Sequence, residues 1–304
     1  MNKVAIILLN WNGATDTIEC LESLKNVNYP DYDIYLVDNN SRKESIDELT
    51  SYIQNDGFYS SETIAVNQLD TYRKNLNTNL LFILNDNNAG FAGGNNVALR
   101  YIMNNNLSEY VMLLNNDTVV SSDFINGLID KVKQSDENGF VGINTYYYDN
   151  NKQIQTVGGG LVDLVHGECS AITSSGIDEF DFITGSCVLM PLHVLREVGL
   201  MDESYFMYWE DVDWSTRTRN KGYKLRVADY GYIYHKEGAS IHSMRRIYYH
   251  TRNRIKYMKK FTKGFKLLKF IIYIILFVIK ESLTNIIKNR EYSKALLNGL
   301  IKGL

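Results

Sequence analysis

Short apolar runs, each ending in Asn, Asp or Gly and each followed by a stretch of helical spacing, recur through the first part of this 304-residue chain. Residues 4–9 run into Asn10-Trp11-Asn12-Gly13, and Ile18, Leu21 and Leu24 follow. Residues 34–37 end in Asp38-Asn39-Asn40-Ser41, with a helical stretch over 46–53. Residues 80–84 lead into a Gly- and Asn-rich turn and a helix near 97–103, and residues 110–114 close on Asn115-Asn116-Asp117. The runs are apolar throughout instead of alternating, which marks strands covered on both faces. Strands alternating with helices make the sheet mostly parallel. Ligands of open α/β sheets bind beyond the carboxyl ends of the strands, so these polar ends point at one crevice.

Elsewhere the pattern changes. Residues 55–79 are polar and aperiodic, and read as a surface loop or short irregular insertion. After Gly139 the region becomes more antiparallel: 140–145, 153–157 and 182–190 read as strands, with Gly158-Gly159-Gly160 as a bend. The length suits one large α/β domain with an appendage, or two small domains. With 45% hydrophobic and 22% charged residues, neither global disorder nor a fibrous protein fits. Cys20, Cys169 and Cys187 lie far apart without CxxC spacing, which argues against a disulfide scaffold or a cysteine zinc module. A reducing cytoplasm is the expected home. The apolar run at 4–9 is too short for a signal peptide and lacks a small-residue cleavage site.

The net charge of −3 hides a split. Residues 1–240 carry 17 Lys and Arg against 33 Asp and Glu, while residues 241–304 carry 15 against Glu281 and Glu291 alone. A basic tail of this kind is expected to meet a polyanion, either nucleic acid or an anionic membrane surface.

Several residues are candidates for chemistry. Gly90, Gly93 and Gly94 open a helix after a strand, where missing side chains let a phosphate approach; a tight turn is the competing reading. Asp38 can accept from a ribose or base edge, or it can cap the next helix. Ser41 with Glu44 already makes a capping box, which leaves Asp38 freer. Asp117 suits a divalent ion near a diphosphate, or a turn. Glu210, Asp211 and Asp213 crowd a helix start between Trp209 and Trp214. Acids favour such a position through the helix dipole, yet buried aromatics also make a general base plausible. Arg217, four residues after Asp213, makes Asp213 structural. His235 becomes a metal ligand only if the fold brings it to Asp117; His166, His193, His242 and His250 lack such a context.

Taken in order, the segments resemble family 2 glycosyltransferases of the GT-A fold, in the non-processive, rhamnosyltransferase-like branch. They are Asn10-Trp11-Asn12-Gly13, Val37-Asp38-Asn39, the stretch from Asn88 to Asn96, Leu114-Asn115-Asn116-Asp117, Gly185-Ser186-Cys187, the stretch from Tyr208 to Asp213, and His235 with Gly238 and Ser240. The likeness spans roughly residues 3–255. It implies a mostly parallel nucleotide-binding sheet flanked by helices. Asn10, Asp38 and Asn95 would line the nucleotide pocket, with Gly90 and Asn115 also on the donor side. Asp117, at the last position of a DxD-like Asn-Asn-Asp, and His235 would hold Mg2+ or Mn2+. Asp211 would be the catalytic base, and Trp209 and Glu210 would shape the acceptor site. The QxxRW motif of processive members is missing, so one transfer per encounter is expected. The Asn-Asn-Asp variant leaves one carboxylate for the metal. The long gap from Asp38 to Gly90 puts residues 55–79 beside the donor.

The resemblance implies an inverting transfer from a nucleotide-diphosphate sugar, dTDP-rhamnose-like or a UDP-hexose, to a glycan or lipid-linked glycan in cell-surface polysaccharide synthesis. A dinucleotide-binding oxidoreductase would need GxGxxG after the first strand, where Asn-Trp-Asn-Gly stands. A catalytically inactive sugar-nucleotide-binding module would lack Asp117 or Asp211. No nucleic-acid module is recognisable, so nucleic acid is not an expected partner. Residues 1–240 are expected to form the catalytic domain and 241–304 a helical extension. The apolar run 270–279 is too short to span a bilayer. With the basic stretch Arg245, Arg246, Arg252, Arg254, Lys256, Lys259, Lys260 and Lys263 before it, the extension is expected at the inner face of the cell membrane, or against a second subunit.

Overall fold

The computed structural model describes residues 2–174, 176–177, 179–236, 243–286 and 288–304. Gly238, Ser240 and His242 lie outside the described residues. The first part alternates β1 (Val4–Asn10), α1 (Ala14–Leu24), β2 (Tyr32–Asp38), α2 (Lys43–Asn55), β3 (Ser61–Ala65), β4 (Leu80–Leu84), α3 (Gly90–Asn105), β5 (Tyr110–Asn115), β6 (Thr118–Val120) and α4 (Phe124–Lys133). The second part holds β7 (Asn138–Tyr147), β8 (Ile154–Thr156), β9 (Gly159–Asp163), β10 (Glu168–Ala171), β11 (Phe182–Ile183), β12 (Cys187–Pro191), α5 (Leu192–Val198), α6 (Glu210–Asn220) and β13 (Lys224–His235). Three helices follow: α7 (Ser243–Phe261), α8 (Gly264–Asn285) and α9 (Arg290–Gly303).

The main sheet has ten strands in the order β3-β4-β2-β1-β5-β12-β7-β13-β6, with β8 beside β7. From β3 to β5 every pairing is parallel; β12 runs antiparallel between β5 and β7, and β13 returns parallel to β7. Register aligns the polar ends: Asn10 pairs with Asp38, and Leu9 with Asn115. Within β1, Ala5 and Ile7 face a core shared with α3 and α5. Val4, Ile6 and Leu8 face a second core with α1, α2 and α4. Both faces are covered, and so the strands carry no polar alternation.

Two expectations are corrected. Residues 55–79 are not an irregular loop: Ser61–Ala65 pairs in parallel with β4 and becomes the sheet's edge. Its Ser, Glu and Thr residues hide the strand, because an edge strand half-open to water needs few apolar side chains. The run 182–190 is likewise two strands. Phe182–Ile183 pairs with β9 in a separate three-stranded sheet, and Cys187–Pro191 joins the main sheet.

The C-terminal helices do not stand apart from the catalytic body. A third core combines Tyr205, Trp209 and Val212 with Ile255, Tyr257 and Met258 of α7, Phe270, Ile274 and Val278 of α8, and Leu296 and Leu300 of α9. Helix α9 lies on α7 at close range: a Cβ at Gly299 would come within 2.7 Å of Thr251 Cβ, and one at Gly303 within 2.9 Å of Ile255 Cβ. Part of the basic stretch meets acids of the chain itself. Lys260 reaches Asp213 and Asp202, Lys256 reaches Asp202, and Arg254 reaches Glu168. Arg252 donates to the carbonyls of Ser204 and Tyr205, and Lys259 to those of Gly303 and Leu304. Among the described residues, no helix is long and apolar enough to cross a membrane.

Candidate active site

The ends of β1 and β2 are locked together by side chains. Asn10 Nδ2 donates to Asp38 Oδ2 at 2.7 Å, and Asn10 Oδ1 accepts from the Gly13 amide and Thr17 Oγ1, both at 3.1 Å. Asp38 Oδ1 accepts from the Ser41 amide at 2.8 Å. Ser41 Oγ accepts from the Asn12 amide and caps no helix, since α2 begins only at Lys43. This reverses the expected division of labour: Asp38, not Ser41, ties down the turn. Asn10 and Asp38 are fully buried and brace the loops around the crevice.

Gly90 is also explained by protein packing and not by a ligand. Its φ is +73°, and a Cβ there would lie 2.3 Å from the Phe206 carbonyl oxygen. That carbonyl accepts from the Phe91 amide at 2.6 Å, which joins the start of α3 to the segment preceding α6. Asn95 is buried and donates to the Phe91 carbonyl. Gly90 and Asn95 thus both make structural contacts at the start of α3. Asn39 does the same work: its amide spans Asn88 and the Gly90 carbonyl on one side, and accepts from Asn85 and the Ala89 amide on the other.

Asp117 and His235 meet. Asp117 follows β5, His235 ends β13, and Asp117 Oδ1 lies 3.3 Å from His235 Nε2. Asn115 Nδ2 is 3.2 Å from the same nitrogen, and Gln155 Oε1 on β8 is 2.9 Å from Nδ1. An amide oxygen only accepts and an amide nitrogen only donates, so both neighbours suit a ring that carries its proton on Nδ1 and accepts from Asn115 through the Nε2 lone pair. A carboxylate oxygen and an imidazole nitrogen able to act as a ligand then face each other. Two adjacent ligands each about 2.1 Å from one ion stand about 3 Å apart, so the pair fits a divalent cation. Among the described residues no group of three or more His, Cys, Asp or Glu side chains could hold a metal alone. The remaining ligands would have to come from a diphosphate, from water or from amides such as that of Asn115.

Helix α6 carries the acidic cluster. Asp211 is half-buried; Oδ2 accepts from the Gly185 amide at 3.2 Å and Oδ1 from the Val212 amide at 2.8 Å. Burial pushes its carboxyl above the usual carboxylate range, and those amides oppose the shift only partly. Glu210 is buried, and burial and then the Asp211 charge push it well above that range. Its Oε2 has no hydrogen-bond partner among the described residues. Trp209 is buried with its ring 5.2 Å from that of Tyr257. Trp209 belongs to the third core, and Glu210 has almost no exposed surface. Asp213 is fully buried between Arg217 Nε at 2.7 Å, Lys260 Nζ at 2.6 Å and Tyr205 OH at 3.1 Å, which makes it structural as expected.

With this geometry in view, the comparisons with known proteins are specific. The model of Glycosyl transferase family 2 matches residues 5–199, and that of Glycosyl transferase family group 2 matches residues 110–289. The chain belongs to glycosyl transferase family 2. A curated relative, the low-salt glycan biosynthesis hexosyltransferase Agl10 of Haloferax volcanii, is 25% identical over 152 residues, covering 47% of this chain and 48% of the relative. The chain thus spans about half the length of the curated relative it matches. Among solved structures, the mannosyltransferase PcManGT of Pyrobaculum calidifontis, in complex with GDP-Man and Mn2+, superposes with a TM-score of 0.62 at 11% identity, covering 99% of this chain and 87% of that one. S. aureus TarS 1–349 gives 0.58 at 14% identity, covering 99% and 80%. Such distant likenesses speak to the fold, which is GT-A. Family membership and fold together remove the dinucleotide-binding oxidoreductase as an alternative.

In this family 2 chain several features near the site were not flagged by the sequence. Gln155 lies in a short polar strand with no motif around it. Asn253 sits inside a run read only as basic, yet it is fully buried and its Nδ2 reaches the carbonyls of Tyr205, Met207 and Tyr208 at 2.9, 2.7 and 2.8 Å. Phe206, Tyr208 and Trp209 all have positive φ, a conformation costly for bulky side chains, just before Glu210 and Asp211. Lys260 closes the Asp213 pocket from the next domain segment. Only the folded chain identifies these features.

Proposed function

We propose that this chain transfers a single sugar, with inversion, from a nucleotide-diphosphate sugar to a hydroxyl of a glycan or lipid-linked glycan in cell-surface polysaccharide synthesis. The observation that carries the reading is the meeting of Asp117 with Nε2 of His235 at the carboxyl end of the sheet. Asp211, at the start of α6, has a carboxyl with raised proton affinity, as a general base needs. Asp211 takes the proton of the acceptor hydroxyl. The hydroxyl oxygen forms its bond to the anomeric carbon as the bond to the diphosphate oxygen breaks, and the diphosphate leaves with the electron pair. Asp117 and His235 would hold Mg2+ or Mn2+, which offsets charge on the leaving diphosphate. Direct displacement requires no covalent nucleophile, and so predicts inversion.

The donor is a dTDP-deoxyhexose such as dTDP-rhamnose, with UDP-hexoses as the second class; the single carboxylate of Asn115-Asn116-Asp117 and the rhamnosyltransferase-like motif order support the first. The solved relative that binds GDP-Man and the hexosyltransferase relative keep the assay broad. A thermal-shift screen with UDP, dTDP and GDP, each with and without Mn2+, tests the donor: dTDP with Mn2+ should give the largest shift. Anomeric proton NMR of the product tests inversion. Retained configuration, or no shift with any nucleotide, would overturn the reading.

A further inference from the structure

The outer face of α8 carries an apolar stripe that no other part of the chain covers among the described residues. Phe265, Leu268, Ile272, Leu276, Ile279 and Leu283 are all exposed, Phe265 by 68% and Leu283 by 67%. At 3.6 residues per turn these six fall within an arc of about 80°, along a helix of about 33 Å. The opposite face, with Phe270, Ile274 and Val278, is buried in the third core. The stripe is therefore held rigidly outward, and the helix cannot turn to hide it.

The charges around the stripe have one sign. Lys263, Lys266, Lys269, Lys280 and Lys288 are exposed, and no carboxylate pairs with any of them among the described residues. The sole acid of α8, Glu281, is only partly exposed and accepts from the Asn285 amide. This differs from Arg252, Arg254, Lys256, Lys259 and Lys260 of α7, which are spent on contacts within the protein. A second copy of the chain laid on this face would bring lysines against lysines, since a two-fold contact pairs a patch with itself. An anionic surface with an apolar interior complements both the collar and the stripe. The β9–β10 turn extends the same side: Val165 is exposed, and His166 packs its ring 4.7 Å from that of Tyr273 on α8.

We propose that the outer face of α8 is a docking surface for an anionic lipid bilayer, with the helix lying in the plane of the interface. Because α8 shares its core with Trp209 and Val212, which flank Asp211, a docked enzyme holds its base at a set height above the lipid. The inference does not depend on what the acceptor carries.

The test uses the full chain and sedimentation with vesicles of 70% phosphatidylcholine and 30% phosphatidylglycerol, against phosphatidylcholine alone. Binding to the anionic vesicles should be at least about tenfold stronger and should weaken in high salt. The double variant Ile272→Glu, Leu276→Glu should lose at least about tenfold in binding while keeping its melting temperature, because both side chains already face water. Lys266→Glu with Lys280→Glu should flatten the salt dependence. Asp211→Asn, which removes transfer under the proposed function, should bind vesicles like the parent, so the two readings fail separately. Wild-type protein that stays unbound to anionic vesicles at low salt overturns the proposal, as does glutamate-variant binding equal to the parent's. A dimer in light scattering that the glutamate pair dissolves, without vesicle binding, would assign the face to a second copy instead.

Discussion

Gln155 Oε1 accepts from His235 Nδ1 across 2.9 Å, and this contact between β8 and the end of β13 decides which imidazole nitrogen faces Asp117. Removing the acceptor frees the ring to turn and to carry its proton on Nε2. Gln155→Leu should weaken Mn2+ binding by about 10–100-fold, the usual cost of losing such a support. Gln155→Glu keeps an acceptor and adds negative charge, so it should bind Mn2+ as well as the parent or better. Electron paramagnetic resonance of free Mn2+ during titration reads this without any assay of transfer. Equal loss in both variants would show that Gln155 merely fills space.

The raised carboxyls of α6 make two pH effects, and their signs differ in kind. Transfer needs Asp211 ionised, so its rate should fall about tenfold per pH unit on the acid side, with the limb above the ordinary carboxylate value of about 3.9. Asp211→Asn should lower turnover by about 10²–10⁴-fold while nucleotide binding persists. Stability responds in the opposite sense. A carboxyl whose folded value is raised binds its proton more tightly in the native state, so it costs stability as pH rises past the unfolded value. Glu210→Gln removes that cost. Its melting temperature should gain on the parent's steadily from pH 4 to 7, and a pH-independent difference would contradict the buried, unpaired carboxyl described above.

Lys260→Met leaves the buried Asp213 with Arg217 and the Tyr205 hydroxyl but without its second cation. The expected loss is about 2–3 kcal/mol, short of the full cost of orphaning a buried charge because Arg217 remains. Urea unfolding at neutral pH measures it. The effect should shrink in the background of Asp213→Asn, where no charge needs an escort.

Asn253→Ala takes the donor from three carbonyls of the segment 205–208 at once. The left-handed residues Phe206, Tyr208 and Trp209 then lose the restraint that holds them. Turnover should drop by at least about tenfold, since small misplacements of catalytic groups are costly. Nucleotide and Mn2+ affinity, set at the ends of β1, β5 and β13, should stay within about twofold of the parent. A matched loss in metal affinity would mean that the whole crevice had collapsed.

Much of the fold was readable because parallel strands buried on both faces announce themselves as unbroken apolar runs, as in β1, β2, β4 and β5. β3 was not, because an edge strand can be built from Ser, Glu and Thr. At the site, Asp117 and His235 were legible as chemistry at strand ends, since the ordered motifs carry them. Asp38 and Gly90 were legible as notable positions, but their burial and the contact with the Phe206 carbonyl are not written locally. The basic stretch showed its sign but not its destination. Arg254 and Lys260 needed the positions of Glu168 and Asp213 before internal pairing could be told from attraction to an outside surface.

The third core has a consequence for biosynthesis. Much of its wall comes from the segment around Trp209 and from α7, α8 and α9, so the segment that carries Asp211 lacks part of its packing until those helices have been made. Domains fold as they emerge, amino end first. The parallel sheet can therefore assemble first, while the base gains its full support only once α7 to α9 are in place. A chain cut short before α7 would hold a formed sheet and a catalytic loop without its wall, which makes a truncated product inert instead of an unregulated enzyme.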